Sequence, residues 1–64
     1  MKETYDIIIE KLKRDKLEFE RDINEVIDDV ENNELSKIFY ERASGKKLYC
    51  DELIEFFTEV RDNL

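Results

Sequence analysis

Carboxylates crowd one part of this chain at a spacing that suits charge-based binding. The six residues that we call the acidic strip are Glu18, Asp22, Glu25, Asp28, Asp29 and Glu31. Positions 18, 22, 25 and 29 are four, three and four residues apart, so on a helix they form one line with neighbours about 5–6 Å apart. Like charges at this spacing cost a helix a few tenths of a kcal/mol per pair.

Three interpretations of the acidic strip remain open from the sequence. It is a solvated polar face, a docking surface for a basic protein, or an imitation of a nucleic-acid backbone. The chain has 18 acidic and 11 basic residues and a net charge of −7. The net charge is +1 over residues 1–16, −7 over residues 17–36 and −1 over residues 37–64. The middle segment therefore accounts for the whole excess of negative charge.

The composition argues against catalysis and against a metal site. There is no histidine, so Ser/His and Cys/His arrangements are impossible. A zinc site would need a second thiol or an imidazole. Catalysis by a pair of carboxylates needs a pocket that excludes water and orients the two groups. Short helices rarely enclose such a pocket. We therefore expect a protein that is not an enzyme and that uses no metal or cofactor.

Cys50 is the only cysteine. A single cysteine fits a reducing compartment, and no segment of the sequence is typical of a signal peptide or a membrane span. We expect a cytoplasmic protein that does not contact membranes. The thiol is either a small half-buried residue or, near a helix N-terminus, a group with a lowered pKa.

A basic cluster precedes the acidic strip. It consists of Lys11, Lys13, Arg14 and Lys16. Its two interpretations are ion pairing with neighbouring carboxylates and binding of phosphate. Because the whole chain is strongly acidic, we expect no direct binding of nucleic acid.

Long helices are the predicted elements, because the chain has no proline and one glycine. Residues 3–31 are predicted to form one helix with an apolar face. That face consists of Tyr5, Ile8, Leu12, Phe19, Ile23, Val26 and Val30. Asp15 and Lys16 occupy positions at which the spacing of this face requires an apolar residue. This gap predicts either a bend in the helix or a helical turn that faces solvent.

Two shorter helices are predicted after Asn32 and Asn33, which suit a cap and a turn. Ser44 and Gly45 predict the end of the second helix, and the last helix is predicted to begin near Cys50. The predicted fold class is all-α: one acidic domain over residues 1–64, with a long N-terminal helix and two shorter helices packed back on it. A helical hairpin and a three-helix bundle both fit this description.

The last helix is apolar over a wide arc. Ile54, Phe56 and Phe57 extend this arc beyond what one core face needs. Such an excess suggests an interface with a second copy or with a partner.

These patterns together predict a protein that acts by stoichiometric binding of another, basic protein. Many inhibitors, antitoxins and immunity proteins of phages and plasmids are small, acidic and helical. This argument is an analogy with a general type of protein and does not depend on a sequence motif. A nucleic-acid-handling protein is the expected partner, since a basic groove would complement the strip. The alternatives are a structural homo-oligomer without an inhibitory role and a nucleic-acid mimic.

Overall fold

Two long antiparallel helices form a hairpin in the computed structural model, which describes residues 1–64. Helix α1 spans Lys2–Val26, a 3₁₀ turn spans Ile27–Asp29, and helix α2 spans Glu34–Asp62. The hairpin measures 49 × 14 × 12 Å. The absence of strands confirms the predicted all-α class. Neither helix has the length and hydropathy to cross a lipid bilayer.

One row of side chains on each helix faces the other helix. The inner row of α1 continues into the turn and consists of Tyr5, Ile9, Leu12, Lys16, Phe19, Ile23, Val26 and Val30. The inner row of α2 consists of Ser36, Tyr40, Ala43, Lys47, Cys50, Ile54, Phe57 and Arg61. Each row alternates spacings of four and three, the heptad pattern of a coiled coil. Every member is buried or half-buried, so these rows form the contact between the helices.

The core between the rows is thin. Ile9, Ala43 and Cys50 are the three buried residues of the chain. The Tyr5 and Phe57 rings lie 6.1 Å apart between centroids near the open end of the hairpin. The sequence had placed Ile8 on the apolar face, whereas the structure leaves Ile8 half-buried and buries Ile9, its neighbour in the inner row.

The turn at the closed end is held by the predicted asparagine cap. Asn33 lies in an extended conformation, and its Oδ1 accepts hydrogen bonds from the N–H groups of Leu35 and Ser36, at 2.9 and 3.4 Å. The backbone N–H groups of Asn32 and Asn33 donate to the carbonyl of Asp29. These bonds satisfy donors that a helix start would leave unpaired.

The predicted break at Ser44 and Gly45 is wrong. Helix α2 continues through both residues, and Gly45 has no positive φ. A glycine ends a helix by adopting the left-handed conformation, and its cost inside a helix is only about 1 kcal/mol. Because Ala43 and Lys47 on either side pack against α1, tertiary contact overrides that cost. The chain therefore forms a two-helix hairpin and not a three-helix bundle.

Helix α1 also ends earlier than predicted, at Val26 instead of position 31. It contains no break at Asp15 and Lys16. The Lys16 ammonium instead pairs with the Asp51 carboxylate of α2. Two further ion pairs join the helices, Lys47 with Glu20 at 3.6 Å and Arg61 with Asp6 at 2.7 Å.

Candidate protein-binding surface

The acidic strip follows α1 from its middle to the closed end of the hairpin. Glu18, Asp22 and Glu25 lie on α1, one helical turn apart. Asp28 and Asp29 lie in the 3₁₀ turn. Glu31, the last member of the strip, lies in the connection to α2. Asp22 is half-buried and the other five residues are exposed.

No member of the acidic strip has a cation within 4.0 Å. The five ion pairs of the chain use the carboxylates of other residues, namely Asp6, Glu10, Glu20, Asp51 and Asp62. Glu20 lies among the strip residues in sequence but on the opposite flank of α1, where Lys47 reaches it. The negative charge of the strip is therefore not neutralised within the hairpin.

A groove separates the acidic strip from the neighbouring face of α2. Phe19 and Asp22 line it on α1, and Phe39, Arg42 and Lys46 line it on α2. The Lys46 ammonium lies 5.7 Å from the centre of the Phe19 ring, a cation–π distance. It is thus held over an aromatic face and forms no ion pair with Asp22.

Two members of the basic cluster are engaged in ion pairs. Lys16 contacts Asp51, and Lys13 contacts Glu10 at 3.9 Å on the same helix. The hydrogen bond that the Lys16 ammonium donates to the Asp51 carboxylate raises the pKa of Lys16 above its ordinary value.

The predicted interface residues of the last helix are divided between two faces. Ile54 and Phe57 are half-buried in the inner row of α2. Phe56 is 56% exposed, and its ring meets the Phe57 ring edge-on with centroids 5.3 Å apart. Phe56 is therefore the most exposed member of this set.

Cys50 lies in the middle of α2 and not near a helix N-terminus. Burial raises the pKa of its thiol, and the nearby carboxylates of Asp15 and Asp51 raise it further. The sequence-based alternative of a lowered pKa is thus wrong, because it depended on a helix that begins near position 50.

A second row of side chains on α2 was not singled out from the sequence. This outer row consists of Leu35, Phe39, Arg42, Lys46, Tyr49, Leu53, Phe56 and Val60. It also alternates spacings of four and three. The predicted helix end at Gly45 concealed it, since the row becomes visible only when residues 34–62 are read as one helix.

Comparisons with protein-family models, with curated proteins and with solved structures found no match to this chain.

Proposed function

We propose that the chain acts by stoichiometric binding of a basic protein, and that the acidic strip is the surface that meets this partner. One observation carries the proposal. Six carboxylates follow the hairpin from the middle of α1 to the closed end, and none has a cation of the chain within 4.0 Å. Lysine and arginine side chains of a partner would supply the missing cations.

The physical consequence of exposure is that the strip acts mainly at long range. Exposed ion pairs contribute only about 0.2–1 kcal/mol each. Complementary charge, however, accelerates encounter and discriminates against wrong partners. A surface of this kind gives a complex that forms quickly and weakens as salt is added.

The partner class that best fits is a nucleic-acid-handling protein with a basic groove. By occupying that groove, the hairpin would act as an inhibitor or modulator. A cytoplasmic location belongs to the same proposal. No enzymatic step is part of it.

The test uses a pair of charge-reversal variants with the same net charge. The first, Glu25→Lys with Asp29→Lys, changes two strip carboxylates. The control, Glu55→Lys with Glu59→Lys, changes two exposed carboxylates of α2 at the same spacing of four. None of the four side chains forms an ion pair in the hairpin, so both variants should keep the helical fold.

The measurement is capture of proteins from a cell extract on the immobilised chain at low salt, followed by titration with the purified captured protein. We expect wild type and control to bind, and the strip variant to bind at least about tenfold more weakly, a loss of about 1.4 kcal/mol. A partner that binds the strip variant as tightly as wild type would show that the strip is only a solvated face.

A further inference from the structure

The outer row of α2 is a largely apolar line of side chains beside the contact with α1. Six of its eight members are exposed, although Phe39, Arg42 and Lys46 also border the groove next to α1. Each residue of the outer row precedes an inner-row residue by one position. Since successive residues of a helix are about 100° apart, the outer row points roughly at a right angle to the direction of α1. That is the angle between the two neighbours of each helix in a square four-helix bundle.

The outer row is more apolar than the inner row of the same helix, α2. Six of its eight members are apolar, against five of eight in the inner row of α2. Leu35, Phe39, Tyr49 and Phe56 are 77%, 46%, 62% and 56% exposed. Exposed aromatic and aliphatic side chains in such a regular line mark an interaction surface.

The surface area of the hairpin indicates how much of it a partner would cover. The chain exposes 5170 Å², whereas a compact monomer of 7.8 kDa is expected to expose about 4400 Å². The excess, about 800 Å², equals what one partner contributes to an interface of standard size. A second hairpin would therefore give each chain the burial that it lacks alone.

The geometry points to a second copy of this chain as the occupant, with the outer rows of two α2 helices packed against each other in a four-helix bundle. This inference goes beyond the proposed function, because it needs no basic partner and places a second copy of the chain on the outer row of α2. The row is suited to pairing with itself, since a two-fold axis brings the same surface of both copies together.

Charge selects the antiparallel orientation of the two α2 helices. In a parallel pair, Arg42 and Lys46 would meet their own copies across the seam. In an antiparallel pair centred on the row, Arg42 lies opposite Leu53 and beside Glu52 of the other copy, and Phe39 lies opposite Phe56. The antiparallel orientation also places each segment of charge −7 beside the other copy's segment of charge +1.

The first experiment measures the mass of the purified full chain by sedimentation at micromolar concentration. We expect twice 7.8 kDa. We also expect a melting temperature that rises with protein concentration, because dissociation and unfolding are linked. A monomer at every concentration, with a concentration-independent melting temperature, overturns the inference.

Two matched variants locate the interface. Phe56→Glu places a charge in the outer row, and Leu17→Glu places one on α1 at a residue that is 63% exposed and outside both rows. We expect Phe56→Glu to raise the dimer dissociation constant by more than about thirtyfold, as truncation of an interface anchor does. Leu17→Glu should leave it unchanged. Equal effects of the two variants, or none from Phe56→Glu, overturn the assignment to the outer row.

Disulfide cross-linking in a Cys50→Ala background tests the orientation without relying on a destabilised variant. Leu35→Cys combined with Val60→Cys should give a covalent dimer under mild oxidation, because the antiparallel pair brings these positions together. Leu35→Cys alone should not. Efficient cross-linking of the single variant would show a parallel pair and overturn the antiparallel arrangement. All of these measurements use the chain alone, so their failure is distinguishable from a failure to bind a basic protein.

Discussion

At the scale of single residues, Cys50 connects the thin core to the pH dependence of stability. It is one of three buried residues, and its thiol loses hydration on folding. Desolvation disfavours the thiolate and therefore raises the pKa of the folded form. A group whose pKa is raised by folding stabilises the protein while it is protonated in both states.

The expected result is a loss of stability at alkaline pH. The free energy of unfolding should fall as pH rises past 9.0, the ordinary pKa of the thiol, because the unfolded chain ionises first. Urea unfolding of wild type and Cys50→Ala at neutral pH and near pH 10 measures this. The comparison with Cys50→Ala separates the contribution of the thiol from that of the rest of the chain. Parallel slopes for the two proteins would contradict the assignment.

Lys16 shows where prediction from the sequence reached its limit. The gap in the apolar pattern at positions 15 and 16 was visible, and a bend or a solvent-facing turn was the local explanation. The helix continues through both residues, and the Lys16 ammonium pairs across the interface with Asp51, 35 residues away. Local sequence contains no information about which distant carboxylate a cation will meet. Glu18, Asp22 and Glu25, by contrast, could be placed on one line of α1 from spacing alone, whereas the other three strip residues lie beyond the end of that helix.

At the scale of the helices, Gly45 separates the predicted fold from the observed one. The position of the turn at Asn33 followed from a capping side chain, a strong local signal. Ser44 and Gly45 carried an equally familiar signal for a helix end, but contacts of the inner row on both sides outweighed it. Heptad spacing continued from position 36 to position 61 would have identified the single helix. That pattern is a property of 26 residues, not of the two that suggested the break.

Replacement of Gly45 with alanine tests the continuous helix. A Cβ at this position would have no atom within 4 Å, and the backbone already has a helical conformation. We expect Gly45→Ala to raise the free energy of unfolding by about 0.5–1 kcal/mol, because alanine loses less conformational entropy in a helix than glycine. Thermal unfolding monitored by circular dichroism is the measurement. A lower melting temperature is the result that a left-handed helix end at Gly45 would give, and it would restore the three-helix interpretation.

At the scale of the whole molecule, the two halves of the hairpin differ in charge and in exposed apolar surface. Residues 1–33 carry −5 and include the whole acidic strip, whereas residues 34–64 carry −2 and include the outer row. One half is thus suited to a basic partner and the other to an apolar one. The two proposed interactions depend on different forces, so salt should change them in opposite directions.

Salt titration of both interactions is the prediction that separates them most clearly. Two copies of net charge −7 repel each other, and salt screens this repulsion while apolar contact remains. Between about 0.1 M and 1 M salt the Debye length falls from about 10 Å to about 3 Å. The dimer dissociation constant, measured by sedimentation, should therefore decrease with added salt. The dissociation constant for a basic partner should increase over the same range, because screening removes the attraction between opposite charges. If self-association instead weakened as steeply as partner binding, charged contacts and not the outer row would hold the two copies together.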